Sequence, residues 1–209
     1  MFQIAKDEPS YFKNAKAKIA LPKVSDAWND TNISNIRSQL REDILFNEQK
    51  SLCVYCEKKI DSDSKNSNID HFKTRNLFPD KTLHYENLLV SCKTKGRCSS
   101  FKDKQVKQKE DYSNIINPIS ENPDDFFDYL LTGEMIAIDN NSRANFTIFI
   151  FNLGCKESDN LTQTRKQIAI SLMSLSNLSL DEIYSVLGNE FCSFVKIVHK
   201  KLNSTGEIS

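Results

Sequence analysis

The sequence predicts an α+β fold, with a small metal-stapled β module flanked by helices on both sides. Three observations carry this. Two cysteine pairs, Cys53/Cys56 and Cys92/Cys98, bracket the middle of the chain. Short apolar runs between and beside them are bounded by polar turns, as strands are. Apolar residues at helical spacing recur before and after this region. The reading divides the chain into an N-terminal irregular segment and helix (1–50), a core module (51–116) and a mainly helical remainder of the same domain (117–209).

In chain order, residues 1–30 read as irregular and polar, interrupted by Pro9 and Pro22. A helix capped by Ser34 follows, with Ile36, Leu40, Ile44 and Leu45 near helical spacing, and ends near Lys50. Leu52–Ile60 reads as a tight metal knuckle running into a short strand, 61–68 as a polar loop, and Ile69–Phe72 as a second short strand. His84–Cys92 is open between a loop and the start of a helix. The basic run after Cys98 contains no glycine or proline before Asn117, which predicts a helix.

Beyond it, Pro118 and Pro123 bracket an acidic turn, and Gly133 marks a hairpin before Met135–Ile138. Phe146–Phe151 is β-branched and aromatic and reads as a strand, with a helix start as the alternative. Two helices finish the chain. Asn160–Leu175 turns Leu161, Ile168, Leu172 and Leu175 inward, and Ser179–Leu202 places Leu180, Ile183, Leu187, Phe191, Phe194 and Val198 on one face.

No apolar run is long enough to cross a membrane, and the first twenty residues lack the apolar core of a secretory signal. A cytoplasmic location is therefore expected, where thiols stay reduced and six cysteines need a use other than disulfides. The net charge of zero points to no polyanion partner. Its distribution does: Lys93 to Lys109 holds seven basic residues (Lys93, Lys95, Arg97, Lys102, Lys104, Lys107, Lys109) against Asp103 alone. Such a run either grips phosphates or is a solvated surface.

Zinc prefers four thiolate or imidazole ligands in a tetrahedron, and two cysteine pairs supply them. The alternative is four buried free thiols. Cys155 and Cys192 lie in apolar contexts and read as small core residues. A structural zinc contributes on the order of 10 kcal/mol of folding free energy, enough to hold small β elements rigid. With four cysteine ligands it is closed to substrate, so the chemistry must lie elsewhere.

Between the pairs stand Asp70, His71 and Asn87. A neutral imidazole can take a proton from water, a neighbouring carboxylate can hold a divalent cation, and an asparagine can orient the histidine by a side-chain hydrogen bond. Strand alternation sends Asp70 and His71 to opposite faces, so the strand must twist or end there. Singly, each residue has an ordinary structural explanation. The order Cys pair, Asp-His, Asn-Leu, Cys pair, Lys is what points to chemistry.

The series CVYCE, IDHF, FPD, HYENLLVSC and RCSSFK resembles the HNH, or ββα-metal, nucleases. More narrowly it resembles the retron- and Septu-associated PtuB-like HNH subunits, which continue with features matched by Asn117-Pro118, Pro123, Phe126-Phe127, Gly133-Glu134, Phe151-Asn152-Leu153 and Arg165. The likeness spans roughly 34–170 and is most specific in 53–102.

It implies His71 as general base, Asp70 as ligand of a catalytic Mg²⁺ or similar divalent cation, Asn87 as the residue orienting the base, and Cys53, Cys56, Cys92 and Cys98 as ligands of a structural Zn²⁺. Lys102 matches a family lysine and is expected on a phosphate, with Lys93, Lys95 and Arg97 as further nucleic-acid contacts. The chain departs from the family at Ser99, where a metal ligand is expected; Asp103 or His84 could replace it.

The resemblance further implies DNA or RNA (tRNA included) as substrate, an anti-phage role, a PtuA-like ATPase subunit and, in some systems, a retron reverse transcriptase with its nucleic acid. The competing expectation is a zinc-stapled binding module without catalysis. A third treats the C-terminal half as a protein-interaction module using the apolar face of Ser179–Leu202.

Overall fold

A hairpin organises the molecule. Strands β1 (Ser67–His71) and β2 (Leu88–Cys92) pair antiparallel, with Ser67 opposite Cys92, Ile69 opposite Val90 and His71 opposite Leu88. The computed structural model describes residues 1–19, 24–154 and 161–204. All five residues of β2 are buried, which is why LLVSC carries an unbroken apolar run in place of alternation. Its period of two still distributes the side chains. Leu89 joins one core with Tyr55, Phe72, Phe151 and the C-terminal helices. Leu88 and Val90 join a second core with Phe12, Trp28, Leu40, Ile44 and Tyr85. Each fully buried side chain of this kind contributes about 1.5–3 kcal/mol.

The hairpin is followed by helix α4 (Cys98–Gln105), which packs against β2 and yields the ββα order. Preceding the hairpin, 53–57 forms the knuckle, closed by Cys53 N–H to Lys58 O (2.9 Å) and Glu57 N–H to Cys53 O (2.9 Å). The strand expected after it is only a single bridge, Leu52 to Lys59. His84–Cys92, ambiguous in sequence, resolves into a short 3-10 turn and β2.

The N-terminal segment is more ordered than its composition suggests. Helix α1 (Ser10–Ala17) buries Phe12 and Ala15, and a 3-10 turn at Val24–Asn29 carries Trp28. The single helix expected over 34–50 is instead α2 (Thr31–Ser34), α3 (Arg37–Asp43) and a π turn at Ile44–Glu48. Asp30, not Ser34, supplies the first cap: its carboxylate accepts from Asn32 N–H at 2.8 Å. Ser34 lies at the end of α2 and bonds back to Thr31 O. The helix predicted from Cys98 towards Asn117 stops at Gln105, and Lys109–Asn114 forms a separate 3-10 turn started by a Gln108–Asp111 capping box.

The C-terminal part begins with a hairpin of β3 (Phe127–Tyr129) and β4 (Met135–Ala137). Gly133 turns it at φ 87°, and a Cβ there would lie 2.1 Å from Thr162 O, so glycine is required twice over.

Phe146–Phe151 is not a strand. It belongs to α5 (Ser142–Phe151), because Asn141 caps Ala144 N–H at 3.0 Å and Asn152 exits left-handed at φ 53°. These caps, with burial at Ala144, Thr147 and Phe151, override local β preference. Helix α6 (Leu161–Ser174) follows.

The long last helix expected over 179–202 is two, α7 (Leu180–Leu187) and α8 (Cys192–Ser204), divided at Gly188 (φ 78°) and Phe191 (φ 55°). The break lets the start of α8 reach the knuckle: Phe191 N–H meets Glu57 O at 3.0 Å, and Ser193 N–H meets the Glu57 carboxylate at 2.8 Å. Glu57 also pairs with the Met1 ammonium, and both groups are buried. Cys192 is half-buried beside Glu57 (Sγ to Oε2 3.4 Å), and Cys155 lies outside the described residues. Among the described residues no helix is long and apolar enough to cross a membrane.

Candidate metal centre and catalytic cleft

The knuckle supplies Cys53 and Cys56, the end of β2 supplies Cys92, and the first residue of α4 supplies Cys98. Gly96 at φ 84° and Cys98 at φ 53° let the intervening loop fold back on itself, which accommodates the wide spacing of the second pair. All four thiols are buried, and their sulfurs lie within 4.8 Å of one another. Cys53 to Cys98 is 3.8 Å and Cys56 to Cys92 is 3.9 Å. A tetrahedron with Zn–S bonds of about 2.3 Å needs sulfurs roughly 3.8 Å apart, so the four can hold one ion of that size. The Cys92 backbone N–H points at Cys53 Sγ (3.3 Å), a polarisation that suits a thiolate.

Asp70 and His71 leave β1 on opposite sides, as alternation requires. Asp70 turns towards α4. Lys102 Nζ stands 3.0 Å from each Asp70 oxygen, and Tyr55 OH donates to the same carboxylate. Lys102 also donates to His71 O (2.7 Å) and Phe72 O (3.0 Å). Burial opposes the lysine charge, but Asp70 and Asp103 outweigh it and raise its pKa. The same burial, with the Asp70 charge, drives the Tyr55 phenol well above its usual range.

Lys102 is fully buried, so the expected phosphate contact is corrected: its ammonium ties α4 to the end of β1. Arg97 is likewise corrected. It is 1% exposed and inward, with Nη2 3.3 Å from Thr94 Oγ1. Lys93 and Lys95 are exposed, and Lys93 sits beside the cysteine cluster with Lys58, Lys59 and Lys65, outside the cleft that holds His71.

His71 turns the other way, edge-on to Trp28 with ring centroids 4.6 Å apart. Its Nε2 lies 3.0 Å from Thr82 O. A carbonyl only accepts, so Nε2 carries the proton and Nδ1 keeps its lone pair. Nδ1 has no hydrogen-bond partner among the described residues. Burial lowers the His71 pKa to about 4, against the pull of Asp70, so the ring is neutral at physiological pH.

Asn87 does not touch the imidazole, which corrects the expected contact. Its amide accepts from Lys73 N–H (2.7 Å) and donates to Lys73 O (2.9 Å) and Lys81 O (3.1 Å). It thereby fixes the loop whose next residue, Thr82, presents the carbonyl to His71.

A cleft of about 490 Å³ opens at this strand end, lined by Asn68, Asp70, His71, Arg75, Asp103 and Lys107 among others. Of the two residues weighed against Ser99, Asp103 lines it and His84 lies in a separate pocket. Ser99 is buried, with Oγ 3.4 Å from Asn68 Oδ1. Asp103 is half-exposed and 3.3 Å from Lys102 Nζ; desolvation, then the Asp70 charge, raise its pKa.

Sequence reasoning missed Trp28, Thr82, Tyr55 and Arg75. Only Tyr55 carried a signal, its place inside the C-x-Y-C knuckle.

Compared with known proteins, a 93-residue stretch is 34% identical to the Septu protein PtuB of Bacillus thuringiensis. It covers 43% of this chain and 34% of that protein, so the chain matches about a third of its relative's length. No family model matches the chain.

Proposed function

We propose that the chain is a metal-dependent endonuclease of the HNH type, hydrolysing a phosphodiester of DNA or RNA. The observation that supports it most is the state of His71: a neutral imidazole on a cleft wall, proton fixed on Nε2 by Thr82 O and Nδ1 open. In this reading Nδ1 accepts a proton from water, the resulting hydroxide attacks phosphorus, and one P–O ester bond breaks.

Asp103, half-exposed on the cleft wall, offers the oxygen donor that suits Mg²⁺, which takes one or two carboxylates and completes its shell with water and phosphate, whereas both oxygens of buried Asp70 are already held by Lys102 and Tyr55. Bound there, the ion would neutralise charge on the phosphate and the leaving oxygen. Lys102 holds Asp70 in place, Trp28 and Thr82 hold the ring, and Asn87 holds the loop behind it.

Zinc at Cys53, Cys56, Cys92 and Cys98 is structural in this proposal. Bound there, it would fix the start of α4 against the end of β2, and through α4 the place of Asp103 on the cleft wall.

The likeness to the Septu protein PtuB supports an anti-phage role beside a PtuA-like ATPase. Association with a retron reverse transcriptase, and tRNA as one RNA substrate, are narrower forms of the same proposal.

The test is cleavage of DNA and RNA by purified protein, alone and with the ATPase, with and without Mg²⁺. His71→Ala should abolish cleavage while keeping zinc content and melting temperature. Wild-type activity in that variant would sink the mechanism. Tight nucleic-acid binding without cleavage under any of these conditions would favour the zinc-stapled binding module.

A further inference from the structure

We propose that Lys58, Lys59, Lys65 and Lys93 form a second nucleic-acid surface, a basic pocket beside the cysteine centre that grips backbone phosphates outside the cleft of His71. It shares its partner class with the nuclease reading and none of its residues.

The four lysines line one pocket of about 310 Å³, together with Asn66 and Cys92. Three separate stretches bring them there: the end of the knuckle, the turn before β1 and the residue after β2. No carboxylate lines the pocket. The three acids nearest to these lysines are engaged with backbone or amide groups. Asp61 accepts from Asp63 N–H (2.9 Å) and Asn66 Nδ2 (2.8 Å), Asp63 from Lys65 N–H (2.8 Å) and Glu190 from Lys59 N–H (2.7 Å). Among the described residues, none of them pairs with a lysine ammonium of the pocket. Other lysines of the chain do find acids: Lys6 pairs with Glu48, Lys102 with Asp70 and Lys201 with Asp128. In a chain of zero net charge, four cations gathered without a counter-charge are a local segregation.

The backbone that carries them is fixed. Lys58 O accepts from Cys53 N–H (2.9 Å), and Lys93 N–H donates to Asn66 O (2.9 Å). Lys93 Nζ also donates to Ser64 O (2.8 Å), which holds its ammonium at the turn. The side chains start from set positions, which lowers the ordering cost of binding. Lys59, Lys65 and Lys93 are exposed, so their ammoniums meet solvent. Several uncompensated ammoniums in one patch favour a polyanion, because each phosphate neutralised releases a condensed counterion. Such contacts go to phosphates, so DNA and RNA share them. The competing use is internal: zinc on four thiolates would leave a double negative charge, and Cys92 lines the same pocket.

Binding is measured on the zinc-loaded chain without added Mg²⁺, by fluorescence anisotropy with a duplex DNA and a single-stranded RNA oligonucleotide, over about 50–200 mM salt. Lys65→Gln and Lys93→Gln should each reduce the slope of log K against log salt by about 0.9 for duplex DNA and about 0.7 for a single strand, and the double variant by the sum. Lys93→Arg should keep the parent slope, as should Lys13→Gln, an exposed control on α1. Zinc content and melting temperature should match the parent in all of them.

Unchanged slopes overturn the surface. A fall in zinc content at unchanged slope does so too, and assigns the lysines to the cysteine centre. Failure of the parent to bind either probe at the lowest salt, or binding to polyglutamate alone, also overturns it. The cleft is read separately, and His71→Ala should retain the parent slopes. Wild-type cleavage with unchanged slopes in the lysine variants would leave the nuclease standing and remove the surface. The expected slopes without wild-type cleavage would do the reverse.

Discussion

Replacing Lys102 by methionine separates two roles for the same residue. Its ammonium makes five contacts, two to Asp70 oxygens at 3.0 Å, one each to His71 O at 2.7 Å and Phe72 O at 3.0 Å, and one to half-exposed Asp103 at 3.3 Å. Methionine keeps the volume and deletes the charge. Asp70, 3% exposed, is then left with Tyr55 as its side-chain partner. Removing one member of a buried ion pair costs about 3–5 kcal/mol, because the other charge stays buried and uncompensated. The two orphaned carbonyls add to this, but not independently, since they share the donor. We expect a loss of about 4 kcal/mol.

The assay is urea unfolding of the zinc-loaded protein at constant m-value. Asp70→Asn in the same background should recover about 2 kcal/mol or more, because both charges are then gone. A loss below about 1 kcal/mol, with nucleic-acid affinity falling instead, would show that Lys102 points outward to phosphate and would refute the buried role.

Cys98→Ser should lower zinc content from one ion per chain, read by metal analysis, and depress the melting temperature by roughly 10 °C. Asn87→Ala removes three hydrogen bonds and should cost about 2 kcal/mol, with loss of the protected His71 Nε2–H resonance as the local readout. His71 also makes stability depend on pH. Its folded pKa of about 4 lies below the ordinary 6.5, so the unfolded chain binds the proton more tightly. Stability is full above pH 6.5 and declines as pH falls towards 4, by about 3 kcal/mol from this group. His71→Gln should flatten that part of the stability curve; an unaltered slope would contradict a buried neutral ring.

The cysteine frame was legible because metal ligation depends on residue type and spacing, and both are written in the chain. The structure brings all four sulfurs together. Gly133 was legible for a similar reason, since left-handed backbone selects glycine. The helix at Phe146–Phe151 was not, because Asn141 and Asn152 outside the apolar run decide it. The single helix read over 179–202 failed because Glu57, far away in sequence, captures the N–H of Ser193. Lys102 and Arg97 looked like surface cations because composition says nothing of which way a helix faces. Trp28 was hidden in a segment read as irregular, although its ring flanks His71.

Glu57 follows Cys56 directly and gathers the Met1 ammonium, 56 residues away, and Ser193 N–H, 136 residues away. Contacts of such long range close late in folding, after the entropy of a large loop has been lost. The cysteine knuckle is local and can close early. Metal capture should therefore come first, presenting Glu57 in place for α8 and the N-terminus to dock. Refolding in zinc-free buffer should stall with the hairpin and ends apart, and added zinc should release it in a single slow phase.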